Sequence, residues 1–140
     1  MKKNYSDLTR IVTTASLFLK EKTKFSYACE RIIARIKSAI KKDEEIYQEK
    51  VIDARVDLAS VDDKGNLLLE GGNYKFTKDN MKTLNANLRK LADELNSTEY
   101  EIESFIATDI PELTFEQMDL FKGILISENY ETQLLEKIDG

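Results

Sequence analysis

The acidic residues towards the C-terminal end are the side chains whose types and spacing could do chemistry. In the run EYEIE the glutamates occupy alternate positions, which predicts a half-buried strand with carboxylates along its exposed face. Carboxylates on such a face lie roughly 7 Å apart and could hold a hard cation or a basic protein surface. A solvated strand face is the simpler alternative. The predicted acidic face consists of Glu99, Glu101, Glu103, Asp109, Glu112 and Glu116.

Charge is distributed unevenly along the chain. Residues 1–42 carry a net charge of +8, whereas residues 43–140 carry −13. From Asp93 onward thirteen acidic residues accompany two lysines, so this region could mimic the phosphate backbone of a nucleic acid. The simplest interpretation is that the two oppositely charged regions face each other within the fold or across an oligomer.

A second charged surface is predicted on a helix in the basic region, where Arg31, Arg35 and Lys42 lie opposite the apolar stripe and Lys37 and Lys41 flank them. Such a ridge could lie along phosphates. Overall acidity, the lack of a glycine-rich phosphate loop and the lack of interleaved aromatic and basic residues argue against nucleic-acid binding. A solvated face or pairing within the fold is therefore favoured. The predicted basic ridge consists of Arg31, Arg35, Lys37, Lys41 and Lys42.

Few residue types suited to catalysis are present. Histidine and tryptophan are absent, and Cys29 is the single cysteine. This composition removes the commonest general base, the commonest metal ligands and any intramolecular disulfide. Cys29 lies on an apolar helix stripe, where it is expected to be a buried small hydrophobe rather than a nucleophile. We therefore expect no enzyme activity, no cofactor and no metal site.

The run DDKGN invites comparison with a calcium-binding loop. Aligned on Gly65, that loop would need oxygen ligands where Lys64 and Gly71 stand, and their side chains supply none. Asp62, Asp63 and Asn66 are therefore interpreted as turn residues.

The first 64 residues contain neither glycine nor proline, which predicts a helical first half. Apolar residues at three- and four-residue spacing indicate one helix over about 7–22, with Ser6 as its N-cap. Ser26 is the expected N-cap of a long second helix over about 27–59. A polar gap in its stripe suggests a bend or break near residues 41–45. The two helices together predict an antiparallel helical hairpin.

The second half is predicted to contain shorter elements. A β-hairpin at 67–76 is expected to turn at Gly71 and Gly72, with Leu69 opposite Tyr74 and Leu67 opposite Phe76. Thr77 is the expected N-cap of a third helix. Its apolar seam is typical of a packed core contact more than of a dimer zipper. The seam consists of Met81, Leu84, Leu88, Leu91 and Leu95.

A short C-terminal helix is predicted to begin after Thr114, which forms a capping box with Gln117. Gly123 is expected to end it, leaving residues 124–126 as a short apolar strand or as the end of a longer helix. The predicted fold class is thus mainly α (α+β). Residues 1–126 are expected to form one helical domain. Residues 127–140 form a C-terminal tail for which a helix and a mobile segment are both open alternatives.

No membrane association is expected. The opening basic and apolar run is interrupted by Asp7 and Arg10 and lacks a small-residue cleavage site, unlike a signal peptide. No stretch approaches the ~20 apolar residues that a membrane-spanning helix needs. We therefore expect a soluble protein that is not exported by that route.

The order of these elements resembles a known family. A basic helical hairpin is followed by DEEIYQEKVIDA, DDKGN, GGNYKFTKDNMKTLNANLRKLADEL, EYEIESF and LTFEQMDLF, over about residues 5–126. This order is similar to that of small uncharacterised proteins of tailed phages and prophages. There a helical hairpin, a D-x-x-G-N turn, a helix and an acidic strand precede a short C-terminal helix. The resemblance implies a phage-encoded accessory protein without known catalytic residues.

These features together predict a non-catalytic protein that binds another protein, either a phage structural protein or a host protein. The expected role is a virion or assembly accessory component, in the cytoplasm of the infected or lysogenic bacterial host or in the virion. One alternative is a phage-encoded inhibitor of a host defence nuclease, of the anti-CRISPR type, whose acidic surface mimics nucleic acid. A second alternative is a basic helical hairpin that binds nucleic acid. Homo-oligomerisation through the long second helix is also open.

Overall fold

The computed structural model of the chain describes residues 1–139 and, among these, the side chains of residues 1–137. Within this range the fold is mainly helical with two short antiparallel strand pairs, which confirms the predicted fold class. The helices are α1 (Tyr5–Ser16), α2 (Lys24–Leu58), α3 (Lys78–Asn96), α4 (Phe115–Phe121) and α5 (Tyr130–Asp139). The strands are β1 (Lys2–Asn4), β2 (Leu69–Glu70), β3 (Asn73–Tyr74) and β4 (Glu99–Glu101).

The described residues form two compact units. Residues 1–41 and the chain from Thr98 onward form one, which we call the terminal unit, and residues 42–97 form the other, the middle unit. α2 contributes residues to both. The predicted division into a domain over 1–126 and a tail stays a prediction. The two units are sets of residues that contact one another, and such contacts do not show which parts of the chain fold independently.

The core of the terminal unit is built by α1, the first part of α2, α4 and the segments beside them. The periodic apolar residues of α1 and α2 are buried as their spacing predicts. At its centre, the Phe18 and Phe25 rings lie 5.1 Å apart edge to face, and the Phe121 ring lies 6.1 Å from each. Such edge-to-face packing adds stabilisation beyond the area that each ring buries.

α1 is shorter than the sequence predicts. Its N-cap is Asn4, not Ser6, because the Asn4 Oδ1 accepts a hydrogen bond from the Asp7 N–H at 2.8 Å. The helix ends at Ser16 instead of continuing to about residue 22. Beyond that point the amides bond to carbonyls three residues back, which tightens the turn. The Phe18 carbonyl also accepts a hydrogen bond from the buried Ser26 hydroxyl at 2.7 Å.

α2 begins three residues before the predicted start and runs without interruption through residues 41–45, where a bend or break was the expectation. The predicted cap, Ser26, lies inside the helix. Its N–H donates instead to the Thr23 hydroxyl at 3.0 Å, so Thr23 does what an N-cap does. The polar gap in the apolar stripe therefore marks a change of surroundings along one helix and not its end.

β1 is an element that the sequence did not predict. It pairs antiparallel with β4, with Lys2 opposite Glu101 and Asn4 opposite Glu99. The Met1 ammonium donates to the Glu101 Oε1 at 2.7 Å, and this hydrogen bond lowers the pKa of Glu101. A strand of three residues is too short to show a periodic pattern, and its partner lies almost 100 residues away.

The hairpin of the middle unit has the predicted register at its turn, with Leu69 opposite Tyr74. The expected pairing of Leu67 with Phe76 is wrong, because Leu67 forms an antiparallel bridge with Val61 instead. The Asp62 Oδ1 stabilises the turn between Val61 and Leu67. It accepts hydrogen bonds from the N–H groups of Asn66 and Lys64, which lower the pKa of Asp62.

α3 begins after Thr77 as predicted, with the Thr77 hydroxyl accepting from the Asn80 N–H. The Asn80 side-chain amide donates to the Leu58 carbonyl at 3.1 Å, which joins the start of α3 to the end of α2. Of the predicted α3 seam, Leu84 is buried, whereas Met81 is exposed and the other three leucines are half-buried.

α4 carries the predicted capping box, and Gly123, which follows its C-terminal end, has a positive φ of 77°. Residues 124–126 form neither a strand nor the end of a longer helix. They make a buried turn in which all three amides donate to the Phe121 carbonyl. Within the predicted tail, α5 is helical over Tyr130–Asp139. The Lys122 ammonium links it to α4 through Glu131 at 3.0 Å and Asp119 at 3.2 Å.

We expect the Thr114→Ala variant to lose about 1 kcal/mol of unfolding free energy, because the first turn of α4 would lose its cap. The Thr114 hydroxyl accepts from the Gln117 N–H at 3.1 Å, and the Gln117 side chain accepts from the Thr114 N–H at 3.0 Å. Urea denaturation measures the change. The exposed Thr108 is the control, and an equal loss in Thr108→Ala would contradict the capping role.

Candidate protein-binding surface

The middle unit buries few of its apolar side chains. Within residues 42–97, all of which the structure describes, Val51 and Leu84 are the buried hydrophobic residues. Eight large hydrophobic side chains of the same unit are exposed, among them Ile52 at 55% and Leu69 at 60%. Exposed apolar surface that is contiguous marks interaction sites in soluble proteins. The eight are Ile46, Ile52, Val56, Val61, Leu67, Leu68, Leu69 and Met81.

Three of these side chains share one face of α2. At ~100° per residue, Ile46, Ile52 and Val56 project from the face opposite the seam that contains Val51 and Leu58. Four carboxylates stand between and beside them, and Lys50 lies at the edge of this face next to Asp57. We call this face the acidic-apolar strip. It consists of the exposed residues Glu45, Ile46, Glu49, Ile52, Asp53, Val56 and Asp57.

A groove between α2 and α3 adjoins the strip. It has a volume of about 520 Å³ and is open along one side of the middle unit. Asp53 and Asp57 belong both to the strip and to the lining of the groove, so the two surfaces are continuous. Apolar residues from both helices line the groove beside charged ones. The lining consists of Lys50, Asp53, Ala54, Asp57, Leu58, Asn87, Lys90, Leu91 and Glu94.

The remaining exposed apolar residues lie around the hairpin. Val61 bridges to Leu67, and Leu67 and Leu68 lead into β2, which begins at Leu69. The middle unit therefore has apolar side chains exposed both on its first helix and at its hairpin.

The sequence prediction missed the acidic-apolar strip. A signal for it exists, because Ile46, Ile52 and Val56 are apolar residues that lie off the main stripe of the second helix. In a helix whose charged face is fully solvated those positions would be polar.

The predicted acidic face is partly paired inside the terminal unit. Besides Glu101, which binds the Met1 ammonium, Asp109 lies 3.9 Å from the Lys24 Nζ and Glu116 lies 3.9 Å from the Arg10 Nη2. β4 ends at Glu101, so Glu103 falls beyond the strand, and Glu99 and Glu112 are exposed. Among the described residues no three acidic or cysteine side chains are grouped so that they could hold a metal ion.

These ion pairs join the basic start of the chain to its acidic end. Each links a cation from residues 1–24 to a carboxylate from residues 101–116. Part of the charge asymmetry is therefore satisfied within the terminal unit. Ion pairs this exposed add little stability individually, but they place the acidic segments beside the basic ones.

The two arginines of the predicted basic ridge lie against aromatic rings. The Arg31 guanidinium carbon is 6.0 Å from the centre of the Tyr27 ring, and that of Arg35 is 5.6 Å from the centre of the Phe105 ring. The two rings meet edge to face at 5.8 Å. These four residues form what we call the arginine–aromatic cluster. The fold thus interleaves aromatic and basic side chains that are not interleaved in the sequence.

Arg35 is held further by the backbone. Its Nη1 donates to the carbonyls of Glu103 and Ser104 at 3.0 and 2.9 Å, so this guanidinium is already bound within the terminal unit. The other members of the predicted ridge, Lys37, Lys41 and Lys42, are exposed on α2. The ridge is therefore divided between held arginines and exposed lysines.

Cys29 is fully buried on α2, as the sequence predicts. Burial raises the pKa of its thiol to about 12, because the charged thiolate is disfavoured away from water. Since the thiolate is the reactive form, the side chain behaves as a small hydrophobe under neutral conditions.

We expect the Cys29 thiol of the folded protein to react with a disulfide reagent at least about 100-fold more slowly than in denaturant. Because the pKa is higher in the folded state than in the unfolded state, this thiol stabilises the fold below pH ~8.5, and the stabilisation is lost as pH rises towards 12. Reaction rates and urea denaturation between pH 7 and 10, compared with Cys29→Ala, measure both effects. Equal rates in the folded and unfolded states would contradict the burial.

Across residues 1–139 no helix is both long enough and apolar enough to span a membrane. Comparison with known proteins finds no matching family model, no matching characterised protein and no matching solved structure.

Proposed function

We propose that this protein is non-catalytic and acts by binding another protein through the middle unit. The observation that supports this most is the contrast between the eight exposed and the two buried hydrophobic residues within 42–97. A unit that exposes this much apolar surface gains stability when a partner covers it. The strip and the adjoining groove offer that partner a continuous surface.

The setting we propose follows the resemblance to phage and prophage proteins. In that setting the chain is a virion or assembly accessory component, made in the cytoplasm of the infected or lysogenic bacterium. Its partner is a phage structural protein or a host protein.

Affinity capture from infected cells, read by mass spectrometry, tests the proposal. We expect a partner that the Ile52→Asp/Val56→Asp variant no longer captures, because both side chains are exposed on the strip and a charge there opposes apolar contact. The Leu17→Asp/Phe115→Asp variant places the same changes on exposed residues of the terminal unit and should capture normally. Equal capture by both variants would contradict binding through the strip.

Capture of a nuclease that depends on Glu99, Glu101 and Glu103 would favour the nucleic-acid mimic.

A second candidate function, nucleic-acid binding, is favoured by the arginine–aromatic cluster. Tyr27 is 53% exposed beside Arg31, and exposed rings next to arginines are surfaces on which bases stack. If this function holds, labelled single-stranded DNA or RNA should shift at ~0.15 M salt and bind more weakly as salt rises. The Tyr27→Ala/Arg31→Ala variant should then bind at least about tenfold more weakly. A shift that this variant retains would exclude the cluster as the site.

A further inference from the structure

We propose that the acidic-apolar strip docks an amphipathic helix of another protein, one whose apolar stripe is bordered by lysine and arginine. This inference rests on the proposed function and specifies the chemistry of the partner. Its basis is the combination, on one exposed face of α2, of three aliphatic side chains with four carboxylates.

The length of the strip suits a helical partner. Residues 45–57 extend over roughly 18 Å of helix, or more than three turns. Ile52 and Val56 are four residues apart, and Ile46 lies further along the same face. A helix packs against such a face through side chains that recur every three or four residues. The groove next to Asp53 and Asp57 supplies space for long side chains at one border of the contact.

The charge of the strip selects a basic partner. The strip carries Glu45, Glu49, Asp53 and Asp57, against a single lysine, Lys50, at its border with the groove. A partner surface of the same sign would be repelled, and one of opposite sign would be attracted and oriented. An apolar stripe that is bordered by lysine or arginine satisfies the aliphatic side chains and the carboxylates together.

A second copy of this chain fits the strip poorly. Two strips face to face would bring carboxylates against carboxylates. The exposed lysines of α2 between residues 28 and 45, which are Lys37, Lys41 and Lys42, have no large exposed hydrophobic residue beside them in that range. These lysines of another copy therefore offer the strip charge without an apolar stripe. The occupant we infer is therefore a different protein.

The test uses the full-length protein and two synthetic helical peptides of about 15 residues, one built from leucine and lysine and one from leucine and glutamate. By fluorescence anisotropy at ~0.1 M salt, we expect the leucine–lysine peptide to bind and the leucine–glutamate peptide to bind at least about tenfold more weakly. The Glu49→Lys/Asp53→Lys variant should reverse that preference. The Glu112→Lys/Glu128→Lys variant, changed at exposed positions of the terminal unit, should retain it.

Circular dichroism confirms that each variant is folded, and Ile52→Ser, which leaves the charge unchanged, should weaken binding of the leucine–lysine peptide independently. Equal weakening by both charge reversals would overturn the inference, as would failure of the peptide to bind. Sedimentation that shows a dimer abolished by Glu49→Lys/Asp53→Lys would overturn it in favour of a second copy. Capture that depends on Ile52 and Val56 would still stand if the peptides fail, so the proposed function and this inference fail separately.

Discussion

Replacing Phe121 with alanine is expected to lower the free energy of unfolding by about 3–5 kcal/mol. Phe121 is fully buried at the end of α4, where its ring contacts those of Phe18 and Phe25. The change removes a large apolar side chain and leaves a cavity between α1, α2 and α4. Because small domains are stable by only about 5–15 kcal/mol, the variant would lose a large share of its stability. Urea denaturation followed by circular dichroism measures the loss.

Phe115 supplies the matched control, since it lies in the same seven-residue helix and is 78% exposed. Phe115→Ala should change the unfolding free energy by less than about 0.5 kcal/mol. A similar loss in both variants would show that the aromatic cluster is not the centre of the terminal unit.

Amide hydrogen exchange is expected to differ by at least about 100-fold between two parts of α2. Residues 28–40 contribute six buried side chains to the core of the terminal unit, whereas Val51 is the one buried hydrophobic residue among residues 46–58. Local opening costs less where fewer apolar contacts are broken, so amides of the second segment should exchange faster. Exchange monitored by mass spectrometry resolves the two segments.

Both segments belong to one continuous helix, so intrinsic helix formation alone does not explain a difference. α3, of which Leu84 is the buried residue, should exchange at a rate similar to that of residues 46–58. Uniform protection along α2 would mean that the middle unit is held as firmly as the terminal unit, and it would contradict a surface that a partner must cover.

Local signals in the sequence predicted the elements well. The caps Thr77 and Thr114, the glycine turn of the hairpin and the apolar spacing of α1 and α2 each depend on residues close together in the chain. Two local predictions were wrong, because the N-caps of α1 and α2 are supplied by Asn4 and Thr23 instead of Ser6 and Ser26. The other errors occurred where distant contacts decide the outcome. The turn after α1 is held by the hydrogen bond between the Ser26 hydroxyl and the Phe18 carbonyl, and β1 pairs with residues about 100 positions away.

The candidate surface was harder to predict for a related reason. The number of acidic residues near the C-terminal end favours a free acidic face. Three residues of that predicted face, Glu101, Asp109 and Glu116, pair instead with cations from the start of the chain. The sequence predicts Arg31 and Arg35 as part of a solvated basic ridge. In the fold, Phe105 lies beside Tyr27, and the two arginines contact these rings. Conversely, the exposure of Ile46, Ile52 and Val56 is not predictable from local sequence alone, because it depends on which other parts of the chain cover these residues.

Hydrogen exchange of the protein in complex with its captured partner tests the central claim, binding through the middle unit, most directly. Comparison with the free protein should show amides of residues 45–57 exchanging at least about tenfold more slowly in the complex, while those of residues 98–126 are unchanged. Slower exchange confined to the terminal unit, with residues 45–57 unaffected, would contradict the claim.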